Sequence, residues 1–251
     1  MGKHTKRKNK KMITLEILRL MFFIILIISI IYVVKWYIDS KRNEMLEEKV
    51  SEAIIVEDIE NNITNEYKID FEKLKETNNQ VVAWLKVKGT SIEYPIVQGK
   101  DNSYYLKKNF EKQYNIGGWI FVDYKNKLDE TDKNIVVYGH NMKDNSMFGS
   151  LKNILKEEWY NNEENYIIDF ITEEYTHKYQ VFSVYRIKNE DYYIDTEFKN
   201  NEFVKFIKTL KNRSIKDFNV EVSKEDRILT LSTCDDNNKY RVVLHAKRIS
   251  E

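Results

Sequence analysis

The chain has one cysteine, one proline and seven glycines in 251 residues. A single cysteine excludes a disulfide framework within the chain and a zinc site built on thiolates. So little proline and glycine excludes collagen-like and low-complexity architectures. The sequence also lacks a histidine pair at i, i+4, an acidic loop with calcium spacing, a phosphate-cradling glycine pattern and any internal repeat, so no cofactor or metal is expected. Nor is there a surplus of one charge, with 41 basic against 40 acidic residues. What is there is apolar and aromatic: 42% of residues are hydrophobic, 17 are Tyr and 12 are Phe. That is enough to bury a core and excludes disorder throughout.

The near-neutral total hides an asymmetry. Residues 1–38 carry eight basic side chains and only Glu16 as an acid, leaving 33 basic against 39 acidic residues in the remainder. A nucleic-acid binder needs a basic stripe on its folded domain, and this remainder has none to spare, so no nucleic acid is expected as a partner. The basic end instead precedes Leu20–Val34, fifteen residues without a charge, extended upstream by Ile13, Leu15, Ile17 and Leu18. A spanning helix needs about 20 apolar residues, a length reached when Arg19 and Lys35 snorkel to the headgroups. A cleaved signal peptide has the same layout. However, Lys35-Trp-Tyr-Ile38 offers no small-x-small cleavage site and its aromatics suit a membrane interface, so a retained anchor is expected. Six basic residues among the first eleven hold the N-terminus in the cytoplasm by the positive-inside preference. The organisation expected is a basic cytoplasmic tail over 1–12, a signal-anchor helix over 13–37, a stalk over 38–69 and an external domain over 70–251.

In the stalk, Met45, Leu46, Val50, Ile54 and Ile55 fall at helical spacing. Asp70 is placed to cap a short helix through Phe71, Leu74 and Lys75. Eight runs rich in β-branched and aromatic residues follow: Val81–Val87, Ser91–Val97, Gly118–Asp123, Asn134–Tyr138, Tyr166–Ile171, Tyr175–Ile187, Arg227–Thr233 and Tyr240–Ile249. Their number and spacing predict a mainly β barrel or sandwich. Two helical inserts are expected, Met147–Trp159 with Phe148, Leu151, Ile154 and Leu155 on one face, and Glu202–Lys211 with Phe203, Phe206, Ile207 and Leu210 on one face. Pro95, the lone proline, is expected at a sheet edge.

Cys234 ends an apolar run and is followed at once by Asp235, Asp236, Asn237 and Asn238, so it stands where a strand gives way to a polar turn. Base rates favour a buried thiol, but a packed one would sit more naturally inside the run, so an accessible thiol and a packed one stand level here, and the two aspartates should oppose thiolate formation. Arg241, seven residues on, returns beside Cys234 if the turn is a tight hairpin. It brings a permanent charge and five donors, the alternative being a surface arginine paired with Asp235 or Asp236. Of four histidines, His4 precedes the anchor and His177 reads as a surface residue on a polar strand. His245 alternates with Arg241 and Val243 but lies about 13 Å along the strand from Arg241. His140 follows Ile135-Val-Val-Tyr-Gly139 at the end of a strand, where catalytic groups are commonly displayed, and is the expected partner.

Tyr138-Gly-His-Asn141, Thr230-Leu-Ser-Thr-Cys234 and Arg241 together resemble the signature of the sortases, the membrane-bound cysteine transpeptidases of Gram-positive bacteria. Tyr94-Pro-Ile-Val-Gln-Gly-Lys-Asp-Asn102, Gly118-Trp-Ile-Phe-Val-Asp-Tyr124 and the insert around Glu202–Lys211 resemble class B in particular, over about residues 70–249. The resemblance implies an eight-stranded sortase-type barrel with N-terminal helices and a helix inserted between late strands, behind one transmembrane helix. It implies catalytic roles for Cys234, His140 and Arg241, and a substrate groove using Asn102, Leu106, Tyr138, Tyr193, Ile194 and Ser232. The implied reaction cleaves a C-terminal sorting motif of a secreted protein, forms a thioester on Cys234 and passes the acyl group to a peptidoglycan amine or a pilin lysine. The expected location is the cell membrane, with the catalytic domain facing the wall. The rival readings are a Cys-His hydrolase of wall peptide or protein, and a non-enzymatic envelope scaffold with Cys234 packed inside.

Overall fold

The computed structural model describes residues 2–56, 67–188, 190–235 and 239–249, with the side chains of 2–11, 56, 67, 234 and 235 outside that description. It divides into two compact units, Met1–Glu44 and Met45–Glu251. The first belongs to helix α1 (Gly2–Ser51). Among the described residues it is the one helix long and apolar enough to cross a membrane. Its large hydrophobic side chains from Met12 to Ile38 are all exposed.

The second unit opens on the last turns of α1. Leu46 and Val50 are buried in the core, as is Ala53 just beyond the helix, so this part of the expected stalk packs with the domain. Ile54 and Ile55 do not continue the helix: they form β1 (Ile54–Val56), paired antiparallel with β2 (Tyr67–Ile69). Two β-branched isoleucines side by side favour the extended state over another helical turn. The intervening stretch of the expected stalk, 57–66, lies outside the described residues. Asp70 does cap α2 (Phe71–Thr77), its carboxylate accepting from the Lys73 amide at 2.9 Å.

Eight strands then close a barrel: β3 (Val81–Val87), β4 (Ile92–Gln98), β5 (Phe121–Val122), β6 (Asn134–Gly139), β7 (Ile167–Ile171), β8 (Thr176–Lys188), β9 (Ile228–Asp235) and β10 (Tyr240–Ile249). Their order around the ring is β10-β8-β7-β3-β4-β5-β6-β9. Pairs β4/β5 and β6/β9 are parallel and the rest antiparallel. All eight expected strands are present. Gly118–Asp123 shrinks to the two-residue β5, because the Trp119 amide bonds the Tyr105 carbonyl instead of a neighbouring strand. Trp84, Leu85, Ile96, Val137, Leu231 and Val243, distributed over both faces of the barrel wall, are fully buried.

The two inserts differ in outcome. Met147–Trp159 is not one α-helix: Gly149–Leu155 is a 3₁₀ helix, Lys156 is extended, and only Glu157–Tyr160 (α3) is α-helical. Phe148, Leu151 and Ile154 recur every three residues, the period at which a 3₁₀ helix stacks its side chains, and all three are fully buried. Glu202–Lys211 does lie within a regular amphipathic helix, α4 (Glu202–Arg213), with Phe203, Phe206, Ile207 and Leu210 buried. Pro95 also departs from expectation, since it sits inside β4 opposite Trp84 in a closed ring. It is tolerated because β5 pairs only with Val97 and Gln98, leaving the β5-side flank at Pro95 outside the ladder. The Pro95 carbonyl accepts from the Trp119 indole at 2.9 Å.

Candidate active site

The barrel brings the ends of β6, β9 and β10 side by side. In the β9–β10 hairpin the residue opposite Cys234 is Arg241. In the parallel β6–β9 pair, Tyr138 faces Ser232 and Gly139 faces Thr233, and the next residue on each strand is His140 and Cys234. Neighbouring strands lie about 4.8 Å apart, so three distant parts of the sequence share one strand end. Cys234 is described through its backbone. Asp236, whose effect on the thiol was expected, lies outside the described residues.

His140 is fixed from both sides. Its carbonyl accepts from the amides of Met142 and Phe148 at 3.1 and 3.0 Å, folding the following loop back on itself. Its Nε2 stands 2.9 Å from the Leu106 carbonyl oxygen. A carbonyl only accepts, so Nε2 carries a proton and Nδ1 is the nitrogen that takes up or gives away one. The Leu106 carbonyl is in turn held against Gly118, whose φ of +57° lies in the left-handed region that favours glycine. A Cβ there would collide with the Tyr105 carbonyl oxygen and stand 2.9 Å from that of Leu106. Gly118→Ala is therefore expected to cost at least about 2 kcal/mol of stability and to misplace the acceptor that orients His140. Thermal melting paired with turnover checks this; a variant that melts and turns over like the parent contradicts it.

Beneath these groups runs a groove of about 470 Å³ lined by His140, Arg241 and all six residues expected to contact substrate. Asn102 and Leu106 come from the segment after β4, and Tyr138 from β6. Tyr193 and Ile194 come from a 3₁₀ turn (Tyr192–Ile194) after β8, and Ser232 from β9. Tyr193 and Ser232 touch through their hydroxyls at 2.9 Å. The Arg241 guanidinium reaches the Tyr240 carbonyl at 3.1 Å.

Several residues not anticipated from sequence complete the site. Asp123, nearly fully buried, accepts from Asn102 Nδ2 at 2.7 Å and from the Tyr138 hydroxyl at 2.8 Å, tying two groove walls together. The position of Asp123 at the end of an apolar run gave no sign of this role. Burial, followed by the Asp123 charge, pushes the Tyr138 phenol above its ordinary range, so it stays a donor. Glu190 and Asp191 add negative charge at one end of the groove and Phe121 an apolar floor.

Of the other histidines, one differs from expectation. His177 is not a surface side chain: it is half-buried, stacked on Tyr175 with ring centres 4.2 Å apart and 2.6 Å from a Glu130 carboxylate oxygen. His245 shares the face of Arg241 four residues along β10, as its alternation predicts. It is fully buried there, where desolvation lowers its pKa to about 3 and keeps the ring neutral. Among the described residues no cluster of His, Cys, Asp and Glu is arranged to hold a metal ion.

Comparison with known proteins gives one consistent result. Residues 85–249 match the Sortase domain family. The chain is 35% identical over 239 residues to the sortase B of Staphylococcus aureus, covering 94% of this chain and 96% of that protein. Among solved structures, a Staphylococcus aureus sortase B–substrate complex superposes with a TM-score of 0.67 at 39% identity, covering 72% of this chain and 84% of that one. A sortase B complexed with triglycine gives the same TM-score and identity, covering 72% and 85%.

Proposed function

This chain belongs to the sortase family, in its class B, and is a cysteine transpeptidase; from that premise we propose that Cys234 is its nucleophile, His140 its acid and base, and Arg241 the cation that steadies the acyl centre. The reading is carried by one observation: the backbone register that sets Arg241 opposite Cys234, with His140 next to it across β6 and β9, at the rim of the groove. The hydrolase and scaffold readings are not favoured, because the relatives matched over nearly the whole chain are sortases.

The reaction then runs in two acyl transfers. The Cys234 thiolate attacks the scissile carbonyl of a sorting-signal peptide, and the oxyanion is met by Arg241 together with a backbone N–H near Cys234. The C–N bond breaks as His140 passes the proton it took from the Cys234 thiol to the departing amine, leaving a thioester. An incoming amine, from peptidoglycan or a pilin lysine, attacks the thioester with His140 as base. An amide forms and the thiol is released. Asn102, Leu106, Tyr138, Tyr193, Ile194 and Ser232 line the path of the peptide.

The apolar, exposed helix over Met12–Ile38 supports a membrane anchor, and the six basic residues before it support a cytoplasmic N-terminus with the barrel outside, facing the wall. We assign 1–12 to the tail, 13–37 to the anchor, 38–69 to the connecting segment and 70–251 to the catalytic domain.

The test is a small library of sorting-motif peptides, including the peptide of the Staphylococcus aureus complex, incubated with and without triglycine. Mass spectrometry should find a peptide acyl group on Cys234 that converts to a peptide–triglycine amide when the amine is added. Formation of the free acid alone, whatever the amine concentration, would make the protein a hydrolase.

A further inference from the structure

The face of the barrel that carries Tyr138, Ser232 and Arg241 also holds a buried chain of side-chain hydrogen bonds that the reaction does not use. The Tyr192 hydroxyl donates to the Tyr185 hydroxyl at 3.1 Å, and Tyr185 lies 2.9 Å from His245 Nε2. On the other side of the ring, His245 Nδ1 lies 2.8 Å from Thr230 Oγ1, and Thr230 donates to Asn134 Oδ1 at 2.7 Å. Asn134 Nδ2 then donates to the Asp195 carbonyl at 2.9 Å. The protons fit in one way. Thr230 has a single proton and gives it to Asn134, so it accepts from His245 Nδ1–H. His245 Nε2 is then the acceptor and takes the Tyr185 proton, while Tyr185 receives that of Tyr192. Only the neutral Nδ1–H form of His245 satisfies every link, in agreement with its complete burial.

The ends of this chain are what give it meaning. Tyr192 and Asp195 immediately flank Tyr193 and Ile194, which line the groove, and between them Tyr193 is tied to Ser232 two residues before Cys234. The path leaves one end of the turn, crosses β8, β10, β9 and β6, and returns to the other end. Buried polar groups that are all satisfied fix one arrangement, because breaking one link strands its neighbours without partners.

We propose that His245 is a positioning residue for peptide recognition, holding the Tyr192–Asp195 turn so that Tyr193 and Ile194 form one wall of the groove. This deepens the proposed function and rests on its reading of that wall. His245 touches no substrate; it acts through Tyr185 on one side and Thr230 on the other.

The experiment compares KM and kcat, with triglycine saturating, for the library peptide that acylates Cys234 most readily. Tyr185→Phe keeps the ring and removes the link from one side; Thr230→Val removes it from the other, and Thr230→Ser keeps the hydroxyl. Tyr185→Phe and Thr230→Val should each raise KM about tenfold and leave kcat within about twofold, while Thr230→Ser stays near the parent. Alkylation of Cys234 by iodoacetamide should be unchanged in all three. A purely structural role lowers the fraction of active enzyme, so it moves kcat and leaves KM alone; that result overturns the proposal. Unchanged KM in both link-breaking variants also overturns it. His245→Phe is the direct variant, and the flanking substitutions keep the proposal testable if that one does not fold. Tyr193→Ala and Ile194→Ala separate the two levels. If they raise KM while the link-breaking variants do not, His245 has no positioning role although the wall is real. If they leave KM unchanged, the reading of the wall is wrong and the positioning role falls with it.

Discussion

Cys234→Ala is expected to remove transpeptidation altogether, a loss of at least about 10⁴-fold in kcat/KM, with no acyl adduct detectable at any peptide concentration. No other group in the groove can replace it: among the residues lining it are hydroxyls and carboxylates, which at neutral pH are far weaker nucleophiles than a thiolate. Cys234→Ser tests the same point more finely. It preserves the shape of the side chain but raises the pKa of the attacking group by many units, so it should fall nearly as far as the alanine variant. Peptide binding should survive in both, since the groove walls come from other residues. A Cys234→Ala protein that still joined peptide to triglycine would remove the nucleophile from the mechanism and leave the family assignment to be explained by other chemistry.

The second large effect is expected at Arg241. Arg241→Ala should lower kcat about 10²- to 10³-fold, corresponding to roughly 2.7–4 kcal/mol for a lost oxyanion partner, with a much smaller change in KM. Arg241→Lys should recover only part of this. Lysine restores the charge but not the planar fork, and a bidentate site is where the two residues differ most. The comparison separates charge from geometry: full recovery in the lysine variant would mean that only the positive potential matters. Steady-state kinetics on the parent and both variants, with circular dichroism to confirm an intact barrel, decides it. If Arg241→Ala raises KM and leaves kcat alone, the guanidinium holds the peptide in its ground state and does not act on the transition state.

The sequence was most informative where chemistry and burial coincide. Every strand of the barrel was legible because each is a β-branched or aromatic run that the fold buries, as in Val81–Val87, where five of seven positions are buried. Cys234, His140 and Arg241 stood out as a thiol, an imidazole and a guanidinium at strand ends, and strand ends carry a recognisable polar punctuation. What escaped were properties that depend on the closed ring. His245 shares the face of Arg241 along β10, as alternation indicates, but the burial of every residue from Val242 to Ala246 is something alternation cannot report. Asp123 was invisible because its partners, Asn102 and Tyr138, lie 21 and 15 residues away and meet it only after β4, β5 and β6 assemble. The run Phe148–Leu155 misled because apolar residues at three- and four-residue intervals overlap, and only packing chose the tighter period. Ile54 and Ile55 extended a helical pattern that β1 ends.

The parallel pairing of β6 with β9 has a kinetic consequence. Asn134 meets Ile228, so pairing those two strands closes a loop of about ninety residues. Contacts between residues this remote in sequence form slowly, because the loop must close before its hydrogen bonds reward it. The β9–β10 hairpin brings Arg241 to Cys234 locally, whereas His140 reaches them through one of the most non-local steps in the topology. Until the ring shuts, the proposed nucleophile lies apart from its proposed acid and base.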